Sequence, residues 1–361
     1  MRLVGHSLHT YSLPYERPVL WSDIVEDAAQ FLLLRLDSDT GHIGVAEMTI
    51  KPTWTGASLG GLVAALQDVF LPLLKTLDIS DIALVRSRMD GIPENHAAKA
   101  LVDNALWDLS SAVAGLPLHQ SWGGAQSVPV SFTVTRQAPE KMADEAVEMV
   151  EKHGFKTLKI KGGQGLKADV DAMQRLRTAL GATVRLYVDS NGAYPMADGP
   201  AYVRAMSDAG AEVVEDPCIL SPDAAFKQLQ QATGTPVLVD FGCWSPRDTR
   251  LFIAAGARAF SLKPGRFGLS DTRAMSLLAN AASCKTVVGM FGESVIGTLA
   301  ALQLSSTLPA SSLPAETTWF LAMTGQITGQ VLRIKNGAIT LPQAGGSAAL
   351  IDWKRLKNLS N

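Results

Sequence analysis

Cysteine is scarce in this chain of 361 residues; Cys218, Cys243 and Cys284 are the whole supply. An odd, widely spaced set makes neither a disulfide framework nor a zinc cluster, so reduced thiols and a cytoplasmic setting are expected. Charge of one sign is lacking too. Lys and Arg number 32 against 34 Asp and Glu, which leaves no basic surplus to hold a phosphate backbone, and nucleic-acid binding is not expected. Long hydrophobic runs are missing. The stretch 61–77 is interrupted by polar residues and by Pro72, short of the ~20 apolar residues that a membrane span needs. The opening MRLVGHSLHTYSLPYERP has neither a long apolar core nor a small-residue cleavage pattern, so no secretory signal is expected. Histidine is absent beyond His153, which removes the commonest general base from more than half of the chain.

What is present is an ordinary globular balance, 47% apolar and 18% charged. The length suits one large domain and a smaller one. The first part reads as α+β, with strands at Gln30–Leu36 and His42–Glu47. Two helices follow. One runs over Ser58–Phe70, with Ser58 as N-cap and Pro72 past its end, and one over His96–Ala114, stopped by Gly115 and Pro117. From Val128 onward short β-like runs alternate with helical stretches: Val128–Val134, Thr157–Lys161, Val184–Asp189, Glu212–Glu215, Pro236–Asp240, Ala259–Lys263 and Thr286–Phe291. Seven such units at near-constant spacing predict a closed parallel barrel rather than an open sheet. The last segment, one strand at Ile334–Leu341 and one helix at Asp352–Leu359, is expected to return to the first domain. The expected division is a capping domain at 1–126, a barrel at 127–320 and a returning segment at 321–361.

Five consecutive strand-like runs end in one charged residue: Lys161, Asp189, Glu215, Asp240 and Lys263, at intervals of 28, 26, 25 and 23 residues. Each interval is one βα unit, so each charge is placed at the C-terminal end of a strand, the face where barrel enzymes do chemistry. Three carboxylates on neighbouring strands would repel one another, and oxygen-only ligands suit magnesium or manganese. The two lysines stand on the second and sixth strands, where they can address opposite faces of a bound substrate. Lys159 lies two residues before Lys161 and points the same way. Adjacent ammonium groups are expected to lower one another's pKa, which makes a lysine a usable base near neutral pH.

In this order and spacing the pieces LKIKGG, VDSNGAY, VEDP, LVDFG and LKPGRFG resemble the enolase superfamily, and within it the muconate-lactonizing subgroup. The resemblance covers nearly the whole chain. It implies a (β/α)7β barrel of the TIM type with an α+β capping domain completed by the C-terminal segment. It further implies that Asp189, Glu215 and Asp240 ligate magnesium, that Lys161 and Lys263 are the acid/base pair, and that Lys159 contacts the substrate carboxylate and tunes Lys161. Glu293, in GMFGESVIGT, falls where the family often faces its site. Two capping loops would close over the barrel mouth, about His9–Ser22 and Met48–Ala57, with Tyr15, Trp21 and Trp54 as substrate contacts. Homo-oligomers are implied as well. Two departures matter. Phe241 stands where a second acid usually follows the third metal ligand, and PAETTWF offers only Glu316 where dipeptide epimerases carry an Asp-x-Asp pair.

The expected activity is metal-dependent isomerisation of a small carboxylate through an enediolate. Racemisation or epimerisation of an amino-acid derivative comes first, muconate-type cycloisomerisation next, and syn elimination of water, as in o-succinylbenzoate synthases, third. A Schiff-base lyase using Lys263 and an inactive metabolite-binding barrel are the rivals from other classes.

Overall fold

The computed structural model describes residues 1–21, 24–329 and 332–359. Strands β1 (Leu3–Trp21), β2 (Ile24–Ser38) and β3 (Ile43–Thr49) form an antiparallel sheet in the order β1-β2-β3. The apolar run in β2 is buried on both faces, as its continuity requires. Leu32, Leu34 and Leu36 pack against the helix His96–Ala114, whereas Phe31 and Leu33 face the C-terminal residues Ile351 and Leu356. The second contact is why the C-terminus returns to this sheet. β1 overturns one expectation, that residues 9–22 form a loop over the barrel mouth. Most of that stretch is strand, paired with β2 from Leu3↔Ser38 to Trp21↔Ile24, with a register shift between Pro14 and Val19. The helix beginning at Leu59 also differs. It continues through a wider turn at Leu66–Phe70 into Leu71–Lys75, and that wider turn, which directly precedes Pro72, takes up the break that the proline makes in the helical hydrogen-bond ladder.

The next strands are β4 (Ser127–Pro129), which lies outside the barrel sheet, and then β5 (Phe132–Val134), β6 (Thr157–Lys161), β7 (Arg185–Asp189), β8 (Ala211–Glu215), β9 (Val237–Val239), β10 (Ala259–Leu262) and β11 (Lys285–Val288). β5 to β11 form one parallel sheet in sequence order. The eighth place is taken by the segment 313–316, which has no regular strand of its own. Leu313 N donates to Thr286 O and Glu316 N to Val288 O on one side. Ala315 N donates to Pro129 O, and Ala315 O accepts from Ser131 N, on the other. That segment closes the ring. The run Val128–Val134, expected as one strand, is two. β4 leaves the barrel and pairs with β13 (Ala338–Thr340), itself in a hairpin with β12 (Ile334–Lys335). The hairpin turn is Asn336-Gly337, both with positive φ, which suits an Asn-Gly turn. The expected C-terminal strand therefore pairs with β4 beside the barrel, while residues on both sides of it reach the capping sheet: Met323 and Thr324 bond to β1, and Ile351 and Leu356 pack on the sheet. Among the described residues, no helix is long and apolar enough to cross a membrane.

Candidate active site

Alternation along the strands separates the charges from the core. Leu158, Ile160, Leu186, Val188, Val214, Val237 and Val239 join the outer core against the helices. Tyr187, Val213, Leu238, Val287 and Leu313 make a small inner cluster. Lys159, Lys161, Asp189 and Glu215 share the inward parity, and Asp240 and Lys263 follow directly on β9 and β10. A cavity of about 20 Å³ lies between them, with Lys161 and Lys263 in its wall together with Trp54, Phe241, Arg266 and Phe291.

Lys159 is at the centre of this charge cluster. Its ammonium is 2.9 Å from Asp189, 2.6 Å from Glu215 and 2.9 Å from Glu316. Burial opposes its charge, but the surrounding carboxylates prevail and hold its pKa well above the usual lysine value. The mutual lowering expected for the lysine pair therefore fails for Lys159, because three anions outweigh one neighbouring cation. It holds for Lys161, whose pKa is lowered by burial first and by Lys159 next, against the pull of Asp189. Lys161 donates to Asp189 at 2.7 Å and to Asn191 at 3.2 Å. Asn191 also shapes the turn, with φ of 51°. On the opposite wall Lys263 donates to Asp240, which also accepts from Arg266 at 3.2 Å. These two cations hold the Asp240 carboxyl below its usual range despite burial. Arg266 is buried and stacks 3.5 Å from the centre of the Trp244 ring.

Among the described residues, no three acidic, histidine or cysteine side chains are gathered as a ready metal-ligand set. The oxygens of Asp189 and Asp240 are turned onto lysines instead. The donors nonetheless suit a hard cation. Glu215 Oε1 is buried without any partner, and Oε2 meets Lys159 out of hydrogen-bonding alignment. Burial, and after it the Asp189 charge, push the Glu215 carboxyl well above its usual range. Asp216 accepts from the backbone N–H groups of Asp240 and Phe241, and burial followed by Asp240 raises it to about 7. Five buried carboxyls (Asp189, Glu215, Asp216, Asp240, Glu316) thus face four cations (Lys159, Lys161, Lys263, Arg266), an imbalance that a further cation would relieve.

The remaining expectations divide. Trp54 reaches the cavity wall from the helical turn Pro52–Thr55, with its ring 5.7 Å from that of Phe291. Tyr15 does not. It is buried between the domains and its hydroxyl accepts from Trp319 Nε1 at 3.3 Å, so its ring packs domain against domain. The Trp21 side chain lies outside the described residues. Glu293 is buried beside the cavity rather than in its wall, accepts from Phe291 N at 2.8 Å, and is raised to about 7 by burial. Glu316 was not foreseen as part of the charge cluster. It accepts from Tyr187 Oη at 2.6 Å and from Met290 N at 3.1 Å, in addition to Lys159. Its signal was faint: a carboxylate one segment beyond the seventh strand, in a stretch too short and proline-bounded to read as a strand.

Two family profiles match the chain, "Mandelate racemase / muconate lactonizing enzyme, N-terminal domain" over residues 9–123 and "Enolase C-terminal domain-like" over residues 141–355. The chain belongs to the enolase superfamily. Its relatives place this superfamily member in the muconate-lactonizing-like subgroup. It is 28% identical to an L-Ala-D/L-Glu epimerase of Bacillus subtilis over 85% of this chain and 86% of that one. It is 26% identical to the chloromuconate cycloisomerase CbnB of Cupriavidus necator, with 99% of each covered. Among solved structures, a muconate lactonizing enzyme from Mycobacterium smegmatis complexed with muconolactone superposes with a TM-score of 0.93 at 27% identity, covering all of both chains.

Proposed function

We propose that this superfamily member is an isomerase that removes the proton next to a carboxylate and returns one to the same carbon, acting as a racemase or epimerase of an amino-acid derivative. The observation that carries this is the pair Lys161 and Lys263. They stand on strands four apart in an eight-membered ring, face one cavity, and are each held by a different carboxylate. Lys161, with its lowered pKa, takes the proton on one face, and Lys263 serves the other. Lys159 stays charged and offers fixed positive potential to the enediolate as it forms. Asp189, Glu215 and Asp240 would hold a magnesium or manganese ion, which when bound adds positive charge against the same developing anion. The cavity between the lysines is too small for the rest of a substrate, and a second cavity, which shares no wall residue with it, is the candidate for that part. This cavity of about 260 Å³ lies under the β1–β2 hairpin, with Arg17, Thr133, Thr135 and Trp319 in its wall, and Thr133 is paired in register with Lys159.

A second reading is muconate-type cycloisomerisation, in which one lysine protonates the enolate left by ring closure. The cycloisomerase relative that spans 99% of the chain supports it. The test is α-proton exchange in D₂O, read by NMR, on a pool of N-acyl and N-alkyl amino acids, prolines and cyclic acids, with magnesium and with EDTA. Magnesium-dependent exchange in both stereoisomers is expected. Lys161→Ala and Lys263→Ala are each expected to abolish exchange from one isomer only. Exchange that survives Lys263→Ala on both faces would sink the two-lysine reading, and turnover of muconate-like diacids without exchange in the pool would favour the second.

A further inference from the structure

One buried carboxylate of the capping sheet reaches the barrel, and the chemistry above gives it no task. Glu47, near the end of β3, is 4% exposed. Its oxygens accept from Tyr11 Oη at 2.5 Å, from the Ser294 hydroxyl, from Ser294 N at 2.9 Å, and from the backbone N–H of Gly297. Ser294 is the N-cap of the helix Val295–Ser305 and accepts from Ile296 N at 3.3 Å. The first turn of that helix is cut back to admit the carboxylate. A Cβ at Gly297 would stand 2.9 Å from Glu47 Oε1 and 2.9 Å from Glu293 Cγ.

The segment just before Ser294 is the wall of the active site on the Lys263 side. Met290 and Phe291 line the cavity. Gly289 rests on the Lys263 stem, since a Cβ there would be 2.8 Å from Lys263 Cε. Phe291 N is tied to Glu293 at 2.8 Å and Met290 N to Glu316 at 3.1 Å. Lys161, on the far wall, makes its hydrogen bonds to Asp189 and Asn191 and none to this segment. A grip on Ser294 from the capping domain therefore bears on one lysine and spares the other.

We propose that Glu47 is a positioning residue for Lys263: by holding the first turn of the helix Val295–Ser305, it fixes the 289–294 segment against which the Lys263 side chain rests. The inference rests on the two-lysine isomerase reading, and it adds that the capping domain controls one half of the reaction. Glutamine at position 47 keeps the size but replaces one of the two accepting oxygens with an N–H₂, which cannot accept from the Ser294 and Gly297 N–H groups or the two hydroxyls, so the grip loosens without a cavity.

The test uses the full chain, with a substrate whose α-proton the unaltered protein exchanges from both stereoisomers. Initial rates of exchange in D₂O are measured for each isomer in the unaltered protein, in Glu47→Gln and in Ser294→Ala, with melting temperatures alongside. The isomer served by Lys263 is the one whose exchange Lys263→Ala abolishes. Displacing a reacting group by about an ångström costs on the order of a hundredfold, so kcat for that isomer is expected to fall by about ten- to a hundredfold with KM within about twofold. Exchange from the Lys161 isomer stays within about twofold. Equal falls for both isomers, or a lowered melting temperature with no change in either rate, would overturn the proposal. Ser294→Ala removes a single grip point and is read the same way if Glu47→Gln does not fold. An unaltered protein that exchanges neither isomer defeats the isomerase reading itself, an outcome distinct from symmetric falls in the variants.

Discussion

Replacing Lys159 with methionine keeps the length of the side chain and removes its charge, which makes it a direct probe of the charge cluster. Lys159 has three carboxylate oxygens within 2.9 Å and a side chain only 2% exposed. Asp189 would keep Lys161 as a partner at 2.7 Å. Glu215 would lose its cation, and Glu316 would lose its cation while keeping Tyr187 Oη and Met290 N as donors. Breaking a buried ion pair from one side costs about 3–5 kcal/mol, and that is the stability loss expected near neutral pH. The loss should depend on pH with a fixed sign. A buried carboxyl deprived of its cation keeps its proton in the folded protein and gives it up on unfolding. The folded state then binds more protons than the unfolded one, and stability falls as pH rises. At ~1.4 kcal/mol per pH unit, each extra retained proton deepens the deficit by about 3 kcal/mol between pH 5.5 and pH 8. Urea unfolding in EDTA, followed by the fluorescence of the seven tryptophans, measures this at both pH values. A deficit below about 1 kcal/mol, or one equal at the two pH values, would refute the role of Lys159 as the counter-charge of these carboxylates.

Magnesium at a hundredfold excess over its dissociation constant should stabilise the protein by about 2.7 kcal/mol relative to EDTA. Glu215→Gln should lose most of that shift in a thermal melt, and an equal shift in both proteins would count against Glu215 as a ligand. Asp103, on the helix His96–Ala114, is fully buried against the start of the helix Leu269–Ala281. It accepts from Ser270 N at 2.8 Å, and burial raises its carboxyl to about 6. Between its unfolded value near 3.9 and about 6 the folded protein holds the extra proton, so its ionisation works against folding as pH rises. Asp103→Asn should therefore gain on the unaltered protein by up to about 3 kcal/mol between pH 4 and pH 7, measured as the difference between their unfolding curves. A difference that does not change with pH would show that Asp103 ionises without penalty.

The strand-end charges were legible in the sequence because each barrel strand is short and apolar and ends in one charged residue, a local pattern repeated at the length of a βα unit. The helices Pro139–His153 and Pro246–Ala254 were legible for a similar reason, since proline marks the first turn of each. β1 was not. Its stretch HTYSLPYERP mixes polar residues with two prolines, and only pairing with β2 makes it a strand. Glu316 and Glu47 share that difficulty. Glu316 stands on a segment of four residues whose strand character comes from its neighbours on both sides. Glu47 reads as an unremarked member of GVAEMT until the fold brings Ser294 to it across 247 positions of sequence. Period-two burial shows which way a side chain points, but not what a second domain places in front of it.

The same division explains why relatives that perform different reactions resemble this chain almost equally, an epimerase at 28% and a cycloisomerase at 26% identity. Lysines and carboxylates hold one another in a cluster whose members come from successive strands of one barrel, and any change there disturbs several buried charges at once. The space between the two lysines is about 20 Å³, little more than a water molecule needs. Any substrate larger than its reacting carbons must extend elsewhere, and the cavity of about 260 Å³ under the hairpin is walled by groups from separate parts of the chain. Arg17 comes from β1 and is tied to Thr135 at 3.0 Å and to Glu145 at 2.9 Å, while Trp319 follows the eighth barrel position. Arg17 and Trp319 make these bonds outside the charge cluster, so a change in either disturbs none of its buried charges. Two relatives of different activity can therefore stand at similar identity to one chain, since identity taken over the whole length gives little weight to the few residues around a cavity.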